Sequence, residues 1–344
     1  MVRLICVYRP QHEIVGYGPF RPPLHGNRGK PAVISSISMT NLRGIREGKL
    51  EKLTPLVVLV GPNGCGKSTV LDALFVAGSP NVQDAANRAI QRHQGVERGA
   101  HWFLWRAQQT KHGEIVLETQ EGDFRRCELD LQSPTRLRCS VHDPKSVKPS
   151  RQSHGELAGV SDIRLIEPQS FPTVPPLHEL YTSTVEQGRR TEAKAIIAEV
   201  VPHVHDIEIL TEGNKPILHL VFEDHSVPVA LAGDGVHSLV RLCLELASRP
   251  QGTILLEEPE VHQHPGAIRQ TVRAILAAIH RHIQVVITTH SLELIDMLLA
   301  DASEEDLEAL SLYRLHLEKG VLTSCRMPGP EVAFARTEIE NDLR

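Results

Sequence analysis

Residues 57–74 read VVLVGPNGCGKSTVLDAL. Within them Gly61, Pro62, Asn63, Gly64, Cys65, Gly66, Lys67 and Ser68 satisfy the spacing G-x-x-x-x-G-K-[ST]. That pattern leaves few folds open. The run PLVVLV before it is continuous, apolar and β-branched, as a strand buried on both faces of a parallel sheet should be. After it, Val70, Leu71, Leu74 and Phe75 recur at helical spacing. A strand, a glycine-rich loop and a helix in this order point backbone N–H groups at an anion, and the helix N-terminus adds partial positive charge. Lys67 can then reach the β- and γ-phosphates of a nucleotide, and the Ser68 hydroxyl can hold Mg²⁺. A glycine-rich turn with a chance lysine would need neither flanking element. Cys65 reads as a small residue that fits the loop, not as a redox group.

A phosphate loop alone binds; hydrolysis also needs carboxylates near the metal and the attacking water. Residues 252–265, GTILLEEPEVHQHP, supply them. Residues 253–256 read as a buried strand, with Glu257 and Glu258 at its carboxyl end, where open α/β sheets bind ligands. One acid can hold Mg²⁺ through water and the next can polarise the attacking water. Residues 283–291, IQVVITTHS, repeat the layout, with His290 just past a β-branched strand. Between them Pro265 opens a helix whose apolar face is Ile268, Val272, Ile275, Leu276 and Ile279. This strand–helix–strand unit suits a parallel sheet. Upstream, Gly233, Asp234 and Gly235 form a turn before a further helix. Taken locally, that turn is an ordinary helix start with Asp234 as its cap.

Composition narrows the setting. The 344 residues carry a formal net charge of −5, so the chain as a whole is not a basic nucleic-acid coat, although a local basic patch stays open. Six scattered cysteines form no C-x-x-C pair and signal neither a zinc site nor a disulfide framework. The apolar run in MVRLICVYRP is too short for a signal peptide, and no stretch approaches the roughly 20 residues that span a bilayer. A soluble, cytoplasmic protein without a membrane partner is expected.

Taken together, these residues resemble the ABC-type ATPase heads of the SMC/RecF/OLD group, and more narrowly the prokaryotic AAA_15 and AAA_21 ATPases, similar to the ATPase half of OLD nucleases. The likeness runs from ISSISMTNLRGI (residues 34–45) through ILLEEPEVHQHP, similar to the family's DEPE…LHP, to TTHS and LELIDMLL. It implies an α/β P-loop NTPase of ABC-ATPase type: a mainly parallel core sheet with helices, an antiparallel β subdomain and a helical insertion. The whole of 1–344 would be one such domain, with an N-terminal lobe over 34–132, an inserted segment over 133–228 and a C-terminal lobe over 229–344. Lys67, Ser68 and Thr69 would hold phosphates and Mg²⁺. Glu257 would stand where aspartate is usual, Glu258 would be the catalytic carboxylate and His290 the switch histidine. Residues 231–235, including Gly233, Asp234 and Gly235, would be the signature turn pressed onto ATP held by a second protomer. Residues 260–265 would form the D-loop at that homodimer interface. The signature lacks its usual serine, and the Q-loop glutamine is open between Gln108, Gln109 and Gln169.

Elsewhere, residues 112–132 read as two strands around a Glu-Gly-Asp turn, and residues 137–157 as a polar, basic loop. Residues 175–204 read as two helices, followed by paired strands. Trp102 and Trp105, three apart, read as one packed helix face rather than a base-stacking platform. Heptads are absent, so no long coiled-coil arm is expected. About 50 residues follow His290, fewer than a TOPRIM nuclease domain needs. Two outputs therefore stand: the ATPase subunit of a two-component system, such as anti-phage defence, gating a separate nuclease or toxin; or a stand-alone RecF-like ATPase of DNA repair or chromosome maintenance, with DNA as partner.

Overall fold

The computed structural model describes residues 33–92, 98–106, 109–142, 163–167, 175–248, 251–261, 263–338 and 342–343. The chain enters through β1 (Ile34–Leu42), β2 (Ile45–Glu51) and β3 (Leu56–Val60), then runs through the glycine-rich loop into α1 (Lys67–Gly78). Helices α2 (Val82–Gln91) and α3 (Gly99–Phe103) lead to a meander of β4 (His112–Thr119), β5 (Phe124–Ser133) and β6 (Arg136–His142). Next come β7 (Ile163–Ile166), α4 (Leu177–Glu186), α5 (Arg190–Val200) and the strands β8 (Asp206–Glu212), β9 (Lys215–Val221) and β10 (Ser226–Pro228). The rest is α6 (Asp234–Ala247), β11 (Gly252–Glu257), α7 (Pro265–His280), β12 (Ile283–Thr288), α8 (Leu292–Asp301), α9 (Glu304–Ala309), β13 (Leu310–Glu318), β14 (Val321–Pro328) and α10 (Gly329–Thr337).

Eleven strands form one sheet in the order β6-β5-β4-β1-β2-β14-β13-β3-β12-β11-β7. From β13 to β7 every pairing is parallel. From β2 to β6 every pairing is antiparallel. Strand β3, inside the parallel half, is buried along its whole length, which is why it is an unbroken apolar run. Alternation along β3 sends Val57 and Leu59 into one core with α1, α2 and α3, and Leu56, Val58 and Val60 into the other with α4 to α8. The strands β10-β9-β8 form a separate antiparallel sheet. The expected α/β P-loop class is what the structure has; the parallel core and the antiparallel strands expected beside it are joined in one mixed sheet. No helix among the described residues is long and apolar enough to cross a membrane.

Two expectations need correction. Residues 137–142 are not loop: Leu137, Cys139 and Val141 turn inward along β6, which pairs with β5. The apolar alternation there was masked by the arginines at its exposed positions. The remainder of that basic segment lies outside the described residues. Trp102 and Trp105 do not share a helix face either. Helix α3 ends at Phe103, Trp102 is 64% exposed, and Trp105 packs over Gly320 at the turn between β13 and β14. The hairpin of β4 and β5 and the pair α4 and α5 lie where the sequence places them.

A buried amide cross-links the two halves of the sheet. Gln284 is buried on the otherwise apolar β12. Its Oε1 accepts from the Ile34 N–H at 3.0 Å, and its Nε2 donates to the carbonyls of Ile34 and Thr54 at 2.9 and 3.1 Å. Gln284→Met preserves the volume but strands three backbone groups, each worth about 1–3 kcal/mol when left unpaired. A fall of at least about 2 kcal/mol in urea unfolding is expected. An unchanged midpoint would show that the clamp is dispensable.

Candidate functional site

The site forms where parallel strands end. Register pairs Glu257 with Thr288 and Thr288 with Leu59, so β11, β12 and β3 finish side by side. Beyond the ladder the chain stays knitted: Thr289 N–H donates to Leu59 O at 3.1 Å, and Glu258 N–H to Thr288 O at 2.9 Å. The next residues out are the glycine-rich loop, His290 and Glu258, brought together from 61, 290 and 258 by sheet geometry alone.

The loop needs its glycines. Gly61 has φ +139°, and a Cβ there would come within 2.7 Å of the Leu315 carbonyl and 2.9 Å of Cys65 Sγ. Gly66 caps α1 in the left-handed region, with no side-chain cap. The first N–H groups of α1 are thus free of a capping side chain, and an added side chain at Gly64 would meet nothing within 4 Å. This is an open cradle of donors at a helix N-terminus, and a phosphate fits it. Cys65 is buried. Lys67 is held beneath, its Nζ donating to Gly61 O at 2.8 Å and Pro62 O at 3.3 Å. Burial lowers its pKa, against the pull of Cys65, Glu258 and Glu257. The Ser68 and Thr69 hydroxyls are partly exposed at the start of α1.

Glu258 sits at φ +43°, a left-handed backbone that a glutamate seldom adopts. Such strain persists where surrounding contacts impose it, here the bond to Thr288. The turn aims Glu258 at His290, with Oε1 3.5 Å from Nε2. Glu260 locks the opposite side: its Oε1 accepts from Thr289 Oγ1 at 2.5 Å and from the His290 N–H at 3.2 Å. Burial pushes the Glu260 carboxyl up, although its bonds to Thr289 and His290 oppose this. Further along, His264 caps α7, its Nδ1 accepting from Gly266 N–H at 3.2 Å, a positional role. A cavity of about 30 Å³ lies against Glu257, bordered by Ser238, Gln263 and Thr271, large enough for one water.

Glu257 has company that the sequence did not reveal. Arg92, just past α2, has a side chain only 2% exposed and meets three carboxylates. Its Nη1 lies 2.6 Å from Glu257 Oε2 and 2.5 Å from Glu167 Oε1, and its Nε lies 2.9 Å from Asp72 Oδ1. Arg43 closes the cluster, 2.7 Å from Asp72 Oδ2. Burial works against the Arg92 charge, but Asp72, Glu257 and Glu167 outweigh it and hold its pKa above the ordinary range. Burial likewise pushes the Glu167 carboxyl up, against Arg92 and Arg88. One signal was available: Asp72 interrupts the apolar run VLDALFVA, and a charge on a buried helix face demands a partner.

For a metal, Ser68 and Glu257 are suitable donors. Mg²⁺ beside a nucleotide takes one or two protein oxygens, with phosphates and waters completing its shell. Among the described residues no three His, Cys, Asp or Glu side chains form a ready cage.

The turn before α6 differs from its expected form. Helix α6 already starts at Asp234, so Asp234 and Gly235 lie in its first turn, and the cap is Gly233 at φ +92°, with no side-chain cap from Asp234. Leu231 beside it is 78% exposed, and an added side chain at Gly233 would meet nothing within 4 Å. Of the three candidate glutamines, Gln108 and Gln169 lie outside the described residues. Gln109 closes a surface turn on Arg106 O. His262 also lies outside them.

The cluster carries a pH signature. Burial raises Asp72 from 3.8 to about 6, with Arg43 and Arg92 opposing. A raised folded pKa means that the folded state binds the extra proton. This contribution is complete below 3.8 and is lost as pH rises through about 6. Asp72→Asn removes it, so the stability difference, wild type minus variant, should fall from about pH 4 to about pH 7. Urea midpoints across that range test this, and a pH-independent difference would refute it.

Comparison with known proteins agrees with this geometry. Residues 141–296 match the AAA_21 family model, described as "AAA domain, putative AbiEii toxin, Type IV TA system", and residues 36–156 match AAA_23, described as an AAA domain. Uncharacterized protein MJECL11 of Methanocaldococcus jannaschii is 34% identical over 82 residues, covering 24% of this chain and 72% of that protein. Among solved structures, a SmcHead bound to the C-winged helix domain of ScpA superposes with a TM-score of 0.58 at 12% identity, covering 86% of this chain and 98% of that one. The Smc head with an extended coiled coil from Pyrococcus furiosus, bound to the C-terminal domain of ScpA, gives 0.58 at 11% identity, covering 90% and 100%. At such identities these two matches speak for the fold alone. The chain thus carries matches to the AAA_21 and AAA_23 domains, and its glycine-rich loop and strand-end acids lie on a P-loop fold like that of the ABC-type SMC heads.

Proposed function

We propose that this chain binds ATP with Mg²⁺, hydrolyses it to ADP and phosphate, and closes as a head-to-tail homodimer around two such sites. The observation that carries this reading is the meeting of Lys67, Glu258 and His290 at the ends of three adjacent parallel strands. In this reading the N–H groups at the turn from Gly64 into the first turn of α1 hold the phosphates, and Lys67 swings from its loop carbonyls onto the β- and γ-oxygens. Mg²⁺, held by Ser68 and Glu257, would offset the phosphate charge. Glu258 orients the attacking water and takes up its proton, with His290 beside it to steady the carboxylate and contact the γ-phosphate. Gly233, Asp234 and Gly235 then supply the N-terminus of α6 to ATP bound by the second protomer. The open face at Gly233 and the exposed Leu231 favour that arrangement.

For the output, the favoured role is the ATPase or sensor subunit of a two-component system, such as one of anti-phage defence, that controls a separate nuclease or toxin. The AAA_21 description, which links that family to a toxin–antitoxin system, supports this choice. A RecF-like role on DNA is the competing outcome, distinguished by DNA-stimulated turnover of the purified chain alone.

Three substitutions test the reading. Lys67→Ala should abolish or greatly weaken ATP binding in calorimetry. Glu258→Gln should retain ATP and Mg²⁺ but slow hydrolysis by about 10²–10⁴. With release blocked, it should also accumulate as an ATP-dependent dimer in light scattering, because ATP binds the closed form better. Glu257→Gln should instead weaken the metal and fail to trap. If Glu258→Gln stays monomeric in saturating ATP, or both acids trap equally, the assignment is wrong.

A further inference from the structure

The Glu257 carboxylate ends a flexible side chain whose torsions must be fixed before it can point in one direction. A guanidinium fixes it. Arg92 reaches Glu257 with two prongs, Nη1 to Oε2 at 2.6 Å and Nη2 to Oε1 at 3.2 Å. Fork-on-fork contacts of this kind set direction as well as proximity. They engage one lone pair on each oxygen, of the roughly four acceptor sites that an ionised carboxylate carries.

The other contacts of Arg92 decide what it is held against. Its Nε lies 2.9 Å from Asp72, four residues after Ser68 and therefore on the same face of α1. Its Nη1 lies 2.5 Å from Glu167, which directly follows β7, the parallel neighbour of β11. Arg43 holds Asp72 from behind. The guanidinium thus bridges the helix that bears Ser68 and the strand end that bears Glu257. Of the three carboxylates, Asp72 and Glu167 are at most 4% exposed and Glu257 is 16% exposed, so Glu257 is the acid of the cluster that reaches the site. As a stabiliser such a cluster is a poor choice, since desolving its charges offsets most of their attraction. What it supplies is geometry.

We propose that Arg92 is a positioning residue for the metal: it orients the Glu257 carboxylate and, through Asp72, keeps it in register with the Ser68 hydroxyl. This rests on the reading that Ser68 and Glu257 are the metal pair. Arg92 acts through Glu257 and touches neither nucleotide nor water.

The test is binding of a non-hydrolysable ATP analogue, titrated with Mg²⁺ and repeated in chelator. Arg92→Lys keeps a cation among the acids but cannot grip both oxygens. Its metal-free affinity for the analogue should match wild type, while the Mg²⁺ concentration for half-maximal enhancement rises by about 10-fold or more, the usual effect of losing a group that orients a metal ligand. In a Glu257→Gln background the same change should add nothing, because Arg92 works only through that carboxylate. Should Arg92→Lys not fold, Asp72→Asn keeps the packing and loosens the same tether, and should shift the Mg²⁺ midpoint in the same direction. An unchanged midpoint in the folded variant, or effects of Arg92→Lys and Glu257→Gln that multiply, would overturn the proposal. If Glu257→Gln itself leaves the Mg²⁺ response intact while Lys67→Ala still abolishes analogue binding, the metal assignment falls and this proposal with it, but nucleotide binding stands.

Discussion

The in-register parallel pairing of β3, β12 and β11 is the constraint on which the rest depends. Each strand is short, five or six residues, and buried along its central positions. Because the three run parallel and stop together, whatever follows each one emerges on the same edge. A phosphate cradle, an acid and a histidine separated by some two hundred positions need no further device to meet. The bonds from Glu258 N–H to Thr288 O and from Thr289 N–H to Leu59 O extend the ladder one step beyond the strands and so carry its precision into the site.

Beneath that edge the chemistry changes from apolar packing to buried charge. Asp72, Glu167 and Glu257 face Arg43, Arg88 and Arg92, three charges of each sign gathered from distant segments into one cluster. Removing any single member would leave an uncompensated charge in the interior, a loss of about 3–5 kcal/mol. The cluster therefore makes the relative placement of α1, α2, β7 and β11 far less negotiable than hydrophobic contacts alone would, since apolar side chains tolerate repacking and paired ions do not.

Those features that were legible in the sequence share one property: they are local. The loop from Gly61 to Ser68, the acids after β11, the histidine after β12 and the hairpin of β4 and β5 each sit inside a window whose periodicity announces the element around it. What was not legible is nonlocal or disguised. Arg92 meets Glu167 and Glu257 across 75 and 165 positions, with no spacing rule to connect them. Strand β6 was hidden by arginines on its exposed face, and the start of α6 was misplaced because Gly233, not Asp234, takes the cap. Gln284 likewise looks like a polar interruption in an apolar strand until its three backbone partners are seen.

The continuity of the eleven-stranded sheet has a mechanical meaning. Strand β3, which delivers the phosphate loop, lies seven places from the β6 edge. At about 4.8 Å per place that is a lever of roughly 34 Å, twist neglected. The amide of Gln284 pins the start of β1 to β12, so the antiparallel arm is tied to the edge that bears the glycine-rich loop and not merely adjacent to it. A rigid tilt of about 10° at the phosphate loop would carry β6 through about 6 Å on that lever. A partner resting on that distant edge would feel the nucleotide state as displacement, without touching the nucleotide.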